Sequence, residues 1–392
     1  GGGALCGSLD VAGAPIEVID ADAGTLTADM STICFDGSSA TLSATPNGDR
    51  SVPADYEVLF VLTRGSGLVI EQTSTTPEFT VNAGGSYTIH TLVAETSDAT
   101  DPNFLDLSIV TPGTTTGFDV NNLLVQGGGA LCGSLDVAGA PIEVFGFNIS
   151  VFLEGPYEEG QMRNDLFLNG LLPGQNPLFL VGNKTPVGQP YNSAPWNYAG
   201  NEGQNFDAAL VGDDKAGYPT DAIDWVLISL RSSLDASSEI CKQAGLLLAN
   251  GEIQFPEGCD VCSLSEGQEV YVVIEHRNHL PIISSSPIPI SGGGLTIDFR
   301  NQQSFTGILG DGQKEVEPGV FAMFAANGVQ AGAGLGARTD INSDDDSAWS
   351  AANGTGDEYN LSDFNLDGSV DSKDEARWTD NTGKSASIIF NN

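Results

Sequence analysis

Apolar and polar residues alternate in short runs along the first third of the chain. Ser38 to Ala44, Tyr56 to Leu62, Gly67 to Gln72, Glu78 to Val81 and Ser86 to Ala94 each show the two-residue period of a half-buried strand. Turn chemistry separates them: Pro46-Asn47-Gly48-Asp49, Arg64-Gly65, Asn82-Ala83-Gly84-Gly85 and Asp101-Pro102-Asn103. Strands of this length and spacing, with almost no helical period, predict an all-β sandwich of immunoglobulin-like type. Further along, Ile149, Val151 and Leu153 alternate, and Ala222 to Arg231 and Gln268 to Arg277 read as central strands. Between those two, Ile240, Ala244, Leu247 and Leu248 fall on one helical face, so a helix is predicted over Ser238 to Ala249, ended by Asn250-Gly251.

A repeat organises these elements. Residues 1–18 (GGGALCGSLDVAGAPIEV) recur letter for letter at 127–144, an offset of 126 residues. The expected fold class is therefore mainly β: tandem β-sandwich domains followed by a small module of calcium loops and short helices. Residues 1–23 are expected to be the terminal strand of a preceding repeat, or a free strand that completes another subunit by strand addition. Residues 24–146 form the immunoglobulin-like sandwich, 147–335 a second β-sandwich domain, and 336–392 the calcium-binding module. Because the chain opens on Gly1-Gly2-Gly3, a processed product or a piece of something longer is expected.

Composition narrows the function classes. Among 392 residues, 52 are acidic and 14 basic, giving a net charge of −38. Such a surface repels phosphate backbones and anionic lipid, so no nucleic-acid partner is expected. No apolar run approaches the roughly 18–20 residues of a membrane span. Hydrophobic residues at 40% and charged residues at only 17% mark a folded chain. Six cysteines (6, 34, 132, 241, 259 and 262) without a second CxxC favour structural disulfides outside the cytoplasm over a zinc knuckle. Cys34 with Cys132 is the favoured pair. Cys241 can join Cys259 or Cys262, and Cys6 has no assigned partner.

Candidate chemistry is concentrated near the C-terminus. In Asp363-Phe-Asn-Leu-Asp-Gly-Ser-Val-Asp-Ser-Lys-Asp374, oxygen side chains stand at loop positions 1, 3, 5, 9 and 12: Asp363, Asn365, Asp367, Asp371 and Asp374. Gly368 at position 6 permits the tight turn, Ser369 at position 7 offers its carbonyl, and Val370 anchors the loop. A hard cation wanting six to eight oxygens suits this spacing, so calcium is the expected cofactor. A shorter copy starts at Asp340, with Asp340, Asn342, Asp344 and Asp346 as its candidate ligands. Trp349 follows Asp340 sooner than Trp378 follows Asp363, which leaves this first loop about six residues short. His276-Arg277-Asn278-His279 is an HxxH on a strand, where residues three apart point to opposite faces, so a structural role is expected for both histidines. No Gly-x-Ser-x-Gly elbow is present, and no enzymatic activity is expected.

The better loop resembles the dockerin form of the calcium loop, in which Asp at the last position is usual. Farther upstream, Phe152-Leu-Glu-Gly-Pro-Tyr157, Met162-Arg-Asn-Asp-Leu166, Gly170-Leu-Leu-Pro173, Gln189-Pro-Tyr191, Pro195-Trp-Asn-Tyr198, Asp224-Trp-Val-Leu227 and His276-Arg-Asn-His-Leu280 resemble the C-terminal region of large secreted or surface proteins of Bacteroidetes, often labelled hemagglutinin- or adhesin-like. The resemblance implies export and surface display. The expected function is a calcium- and disulfide-stabilised adhesin or filament subunit whose partners are other copies of itself, neighbouring repeats, or an extracellular carbohydrate or protein ligand. The alternative is a dockerin-like module that anchors a secreted partner.

Overall fold

The computed structural model describes residues 20–35, 39–176, 185–256, 264–307, 310–331, 337–388 and 390. Cys6, Cys259 and Cys262, and residues 1–19 of the terminal or donor strand expected over 1–23, lie outside the described residues. The chain is mainly β, with several sheets and a few short helices, and divides into two compact units.

The first unit comprises residues up to Ser31, Thr41–Phe79 and Ser86–Ile142. Leu26–Ala28, Ala40–Pro46 and Glu78–Val81 form a three-stranded sheet. Glu57–Arg64 pairs antiparallel with Val69–Ser74 on one side and Gly85–Ala94 on the other, and Gly133–Leu135 adds to the latter strand. Ala40–Pro46, Glu57–Arg64, Val69–Ser74, Glu78–Val81 and Gly85–Ala94 lie within a residue or two of where alternation placed them, whereas Leu26–Ala28 and Gly133–Leu135 fall outside those runs. Phe60 and Leu62 are buried on one face of the sheet. On the other, Val61, Ile70 and Leu92 pack with Val120, Leu124 and Leu135. A one-turn helix, Gly117–Asn121, covers this second face, and a capping box between Thr116 and Asp119 sets its start.

Cys132 carries a free thiol, so the expected bridge from Cys34 is not formed. The two cysteines belong to strands of different units: Thr32–Phe35, which holds Cys34, runs parallel to Glu143–Gly146 in the second unit, whereas Cys132 leads into Gly133–Leu135 of the first. Hydrogen bonds fix Cys132 instead. Its amide donates to the Asn103 side chain (3.2 Å) and its carbonyl accepts from the Tyr56 hydroxyl (2.9 Å). Cys132→Ser is therefore expected to change stability by less than about 0.5 kcal/mol in a urea titration. A bridge closing this loop would forfeit about 4–5 kcal/mol on the same substitution. Cys241 is disulfide-bonded, and both of its candidate partners lie outside the described residues.

The second unit comprises Thr32–Ala40, Thr80–Gly85 and Glu143–Asn392. Its largest sheet is built on β2 (Ala222–Arg231), buried along its whole length; β1 (Ala140–Ser150) lies in a different sheet, parallel to Thr32–Phe35. Antiparallel β3 (Glu239–Leu248) and β4 (Glu269–His276) border β2, and β5 (His279–Ile283) pairs with β4. β6 (Gly294–Asp298) lies parallel to the end of β1. The segment predicted as a helix over Ser238 to Ala249 is β3. Its Ala244, Gly245, Leu246 and Leu247 are all buried, on both faces of the strand, so the apolar run is continuous and imitates helical spacing. Gly245 is needed there because an added Cβ would sit 2.5 Å from an Ile253 methyl.

Residues 336–392, expected as a separate module, belong to this same unit. Their helices α1 (Ser343–Ala352) and α2 (Ser372–Asn381) share a core in which Ile341, Trp349, Phe364 and Val370 pack with Leu280, Phe324 and Ala326. Among the described residues no helix is long and apolar enough to cross a membrane.

Candidate metal centre

α1 and α2 are two halves of a local repeat, 29 residues apart (343 to 372). Asn342 and Asp371 cap them with matching backbone angles, φ/ψ −142°/−167° and −143°/−165°. Asp345 and Asp374 complete the two capping boxes, each accepting from the amide of its cap residue. Before each helix a buried branched residue makes a pair of strand-like bonds across the repeat. Ile341 pairs with Gly383 and Lys384 (2.8 and 2.9 Å), and Val370 with Gly354 and Thr355 (both 2.9 Å). Each tryptophan donates to the other half: the Trp349 indole N–H to the Asp371 carbonyl (2.9 Å), the Trp378 indole N–H to that of Asn342 (2.8 Å). The two halves thus exchange equivalent bonds as a local pseudo-two-fold pair.

This symmetry corrects the register read for the first loop. Asp340 is the counterpart of Ser369, not of Asp363, because Asp340 bridges Ser385 as Ser369 bridges Gly356. Asn342 corresponds to Asp371, and the buried Asp345 to Asp374. Asp344 and Asp346 belong to the first turn of α1, with Asp344 exposed. Counting back 29 residues from Asp363, Asn365 and Asp367 reaches Gly334, Gly336 and Arg338, none of which has a side-chain oxygen. The first loop therefore lacks the front half of a calcium site. Asp345 was missed from sequence, although Asn342-Ser-Asp-Asp345 carries the signal of a capping box.

In the second half the six candidate residues do share one loop. Asp363 is fully buried, and its two oxygens accept from the amides of Asp367 (3.1 Å) and Gly368 (2.9 Å). Gly368 turns the loop at φ +89°, a conformation that favours glycine. Asn365 Oδ1 also accepts from Asp367 N (2.8 Å), and Asp367 Oδ1 from Ser369 N (3.1 Å). Asp374 closes the circle, accepting from the amides of Phe364 (2.7 Å) and Asn365 (3.0 Å). The remaining oxygen of Asp367 meets the Lys373 ammonium at 2.7 Å. As these bonds stand, no three His, Cys, Asp or Glu side chains among the described residues are arranged around a metal position.

The loop's electrostatics are unfavourable as it stands. Burial, added to by Asp374 and Asp367 and opposed by Arg277, pushes the Asp363 carboxyl up to about 7. Burial, with Asp367 adding, raises Asp374 to about 6. In the other half Asp345 is also raised to about 6, by burial and by Asp344. Carboxyl groups this reluctant to ionise are relieved by a nearby cation.

The loop rests on a buried polar cluster that sequence reading did not find. Asp224, fully buried on β2, accepts from Arg277 Nε (2.8 Å), from His276 Nε2 (3.1 Å) and from the Tyr359 hydroxyl. The Arg277 guanidinium lies 4.0 Å over the Tyr359 ring and donates to the Asn360 carbonyl. Asn278 donates to the Asp363 carbonyl at 2.6 Å. Gly155 is pressed against the loop: a Cβ there would lie 2.0 Å from the Phe364 carbonyl oxygen. His276 and His279 do not diverge as expected for a straight strand. They end a two-residue hairpin turn and are a register pair, with their Nδ1 atoms 3.0 Å apart. Gly155 N donates to His279 Nε2 (3.2 Å), and the bond of His276 Nε2 to Asp224 requires a proton there. One neutral tautomer of each ring satisfies the whole chain, with the His279 Nδ1 proton shared toward His276. Burial holds both imidazoles below their ordinary range.

No protein-family model matches the chain, and no curated protein matches it either. Among solved structures, it is similar to a chain of a type II cohesin–X-dockerin complex from Acetivibrio cellulolyticus, at 16% identity and a TM-score of 0.25. That match covers 41% of this chain and 81% of the other.

Proposed function

We propose that the chain is an extracellular structural protein whose C-terminal region is locked by one calcium ion in the loop 363–374. The observation that carries this reading is the donor set: six oxygen-bearing residues on one glycine-turned loop, with carboxyl groups that burial and mutual repulsion keep proton-hungry. Asp363, Asn365, Asp367 and Asp374 would hold the ion through side chains and Ser369 through its carbonyl, with Asp371 contributing directly or through water. Most of these oxygens accept a single amide, and a carboxylate oxygen has a second lone pair to offer. Lys373 then leaves Asp367 to the ion. Bound calcium supplies positive charge to the buried carboxylates and no chemistry beyond that.

The embedding of the loop favours a structural role over a freely docking module. Asn278, Gly155 and Leu366 tie it to the β-sheet core, so a bound ion would stiffen the whole second unit. The degenerate first half is assigned no ion. Repeat identity and the acidic surface support a soluble, repeat-built chain outside the cell, and electron microscopy of native material would show end-to-end joining if copies polymerise.

Calorimetric titration of the EDTA-stripped full chain with calcium is expected to find one site, lost in Asp363→Ala and kept in Asp340→Ala and Asp346→Ala. Full occupancy at a thousandfold excess over Kd adds about 4 kcal/mol of stability. An identical melting curve in calcium and in EDTA would sink the proposal. The site also has a pH signature. Because Asp363 and Asp374 are raised to about 7 and about 6, they must lose protons to bind. Affinity is expected to level off above pH 8 and to fall by about tenfold per unit below 7 for each proton displaced.

A further inference from the structure

A second place in the same unit has the form of a binding site: a groove of about 490 Å³ between the β1–β6 strand pair and the short strand Ile253–Gln254. Along β1 and β6 the register sets Asn148 beside Thr296 and Ile149 beside Ile297. The isoleucines are buried and the polar pair is exposed, so alternation turns Asn148 and Thr296 outward. Glu252 and Gln254 form the facing wall, held by the bridge between Ser150 and Glu252 and by the 2.9 Å bond from Leu248 N to the Glu252 carbonyl. Arg300 closes one end. Its guanidinium grips both oxygens of Asp298 (2.8 and 2.9 Å) and lies over the Phe152 ring. Phe147 lines the other end from the strand's far face, where its ring packs on Phe255 at 5.6 Å between centroids.

The lining selects the chemistry of its occupant. Pockets for apolar ligands are lined mostly by apolar side chains with a few polar groups, and the open side of this groove reverses that proportion. An anion finds no free positive charge, since Arg300 is spent on Asp298, and the chain around it carries −38. A metal ion would have only two carboxylates, one of them already paired. What fits is a neutral molecule with many hydroxyls. The amide groups of Asn148 and Gln254, the Thr296 hydroxyl and the Glu252 carboxylate offer donors and acceptors side by side. We infer that this groove binds a neutral oligosaccharide, about two or three sugar rings long for its volume. Sheet strands and the Arg300–Asp298 fork hold its side chains in place beforehand, which lowers the ordering cost of binding. None of its residues belongs to the loop 363–374, so this inference and the calcium reading stand or fall separately.

The test is saturation-transfer NMR and calorimetry on the full chain with four neutral trisaccharides: cellotriose, maltotriose, mannotriose and N,N′,N″-triacetylchitotriose. At least one is expected to bind with a Kd below about 1 mM. Glu252→Ala and the exposed pair Asn148→Ala with Thr296→Ala should each weaken it about tenfold at an unchanged melting temperature. Thr296→Trp, which fills the groove, should abolish it. EDTA should leave it unaffected. No binding of any of the four at about 10 mM would overturn the inference, as would binding that all three variants leave intact or capture of an extended peptide in their place.

Discussion

Replacing Asp224 with alanine is expected to destabilise the second unit by about 3–5 kcal/mol. Asp224 is fully buried and is the acceptor for three side chains: Arg277, His276 and Tyr359. Without it, a guanidinium with 1% exposure loses its ion-pair partner, and a phenol and an imidazole lose their acceptor. Desolvation was offset by these bonds, so removing one member exposes its whole cost. All four tryptophans (196, 225, 349 and 378) lie in residues 143–392, so their fluorescence in urea reports this unit alone. A second variant separates the charge from the packing. Arg277→Met in the Asp224→Ala background should recover part of the loss, because the orphaned charge is gone. Equal loss in the double and single variants would refute this account. Acid acts in the same direction. Although burial pushes Asp224 up, Arg277 and then His276 hold it below the usual 3.8. Its contribution is present above that value and is lost as pH falls through the lowered one. The histidines, lowered from 6.5, contribute fully above 6.5 and lose stability as pH falls below it.

Trp349→Ala is expected to lower stability by about 3–5 kcal/mol, and Trp378→Ala by clearly less. Trp349 is 7% exposed and lies in the core of the helix pair, whereas Trp378 only packs against its edge. Each substitution also frees one carbonyl at the cap of the opposite helix. That shared term is about 1 kcal/mol, so the difference between the two variants reads the packing alone. Trp349→Phe should restore most of the volume but not the bond to Asp371. Equal losses for the two alanine variants would contradict the core assignment. In calcium, if the loop is filled, Trp349→Ala should also weaken the metal, because its indole fixes the carbonyl of a loop residue.

The legible part of this fold was local. Period-two runs located five strands of the first unit; Ala40–Pro46 and Glu78–Val81 alternate buried and exposed positions as read, and Glu78–Val81 matched to the residue. The same test failed at β3, where two buried faces erase the alternation. The loop 363–374 was legible because its ligand types, its glycine and its branched anchor all fall within twelve residues. Its partner half was located but misread by six positions. The acidic run at 344–346 mimics ligand spacing, while the true correspondence lies in Ile341, Asn342 and Trp349, where packing and capping fix the register. The Asp224 cluster was out of reach. Its members come from 224, 276, 277 and 359, and only tertiary structure makes them neighbours. A charged residue inside the apolar run Ala222–Arg231 was the one local hint.

The way the chain is shared between the units bears on any attempt to take it apart. Thr32–Phe35 pairs with the second unit, although it lies over a hundred residues upstream of the bulk of that unit, between segments of the first. Proteolysis or truncation near residue 142, the natural place to cut by the sequence repeat, would strip the C-terminal fragment of a strand and leave one side of β1 bare. Fragments released there should be sticky and short-lived. A viable fragment must keep the whole stretch from about residue 20 onward, so the 126-residue repeat is a unit of inheritance rather than a unit of folding.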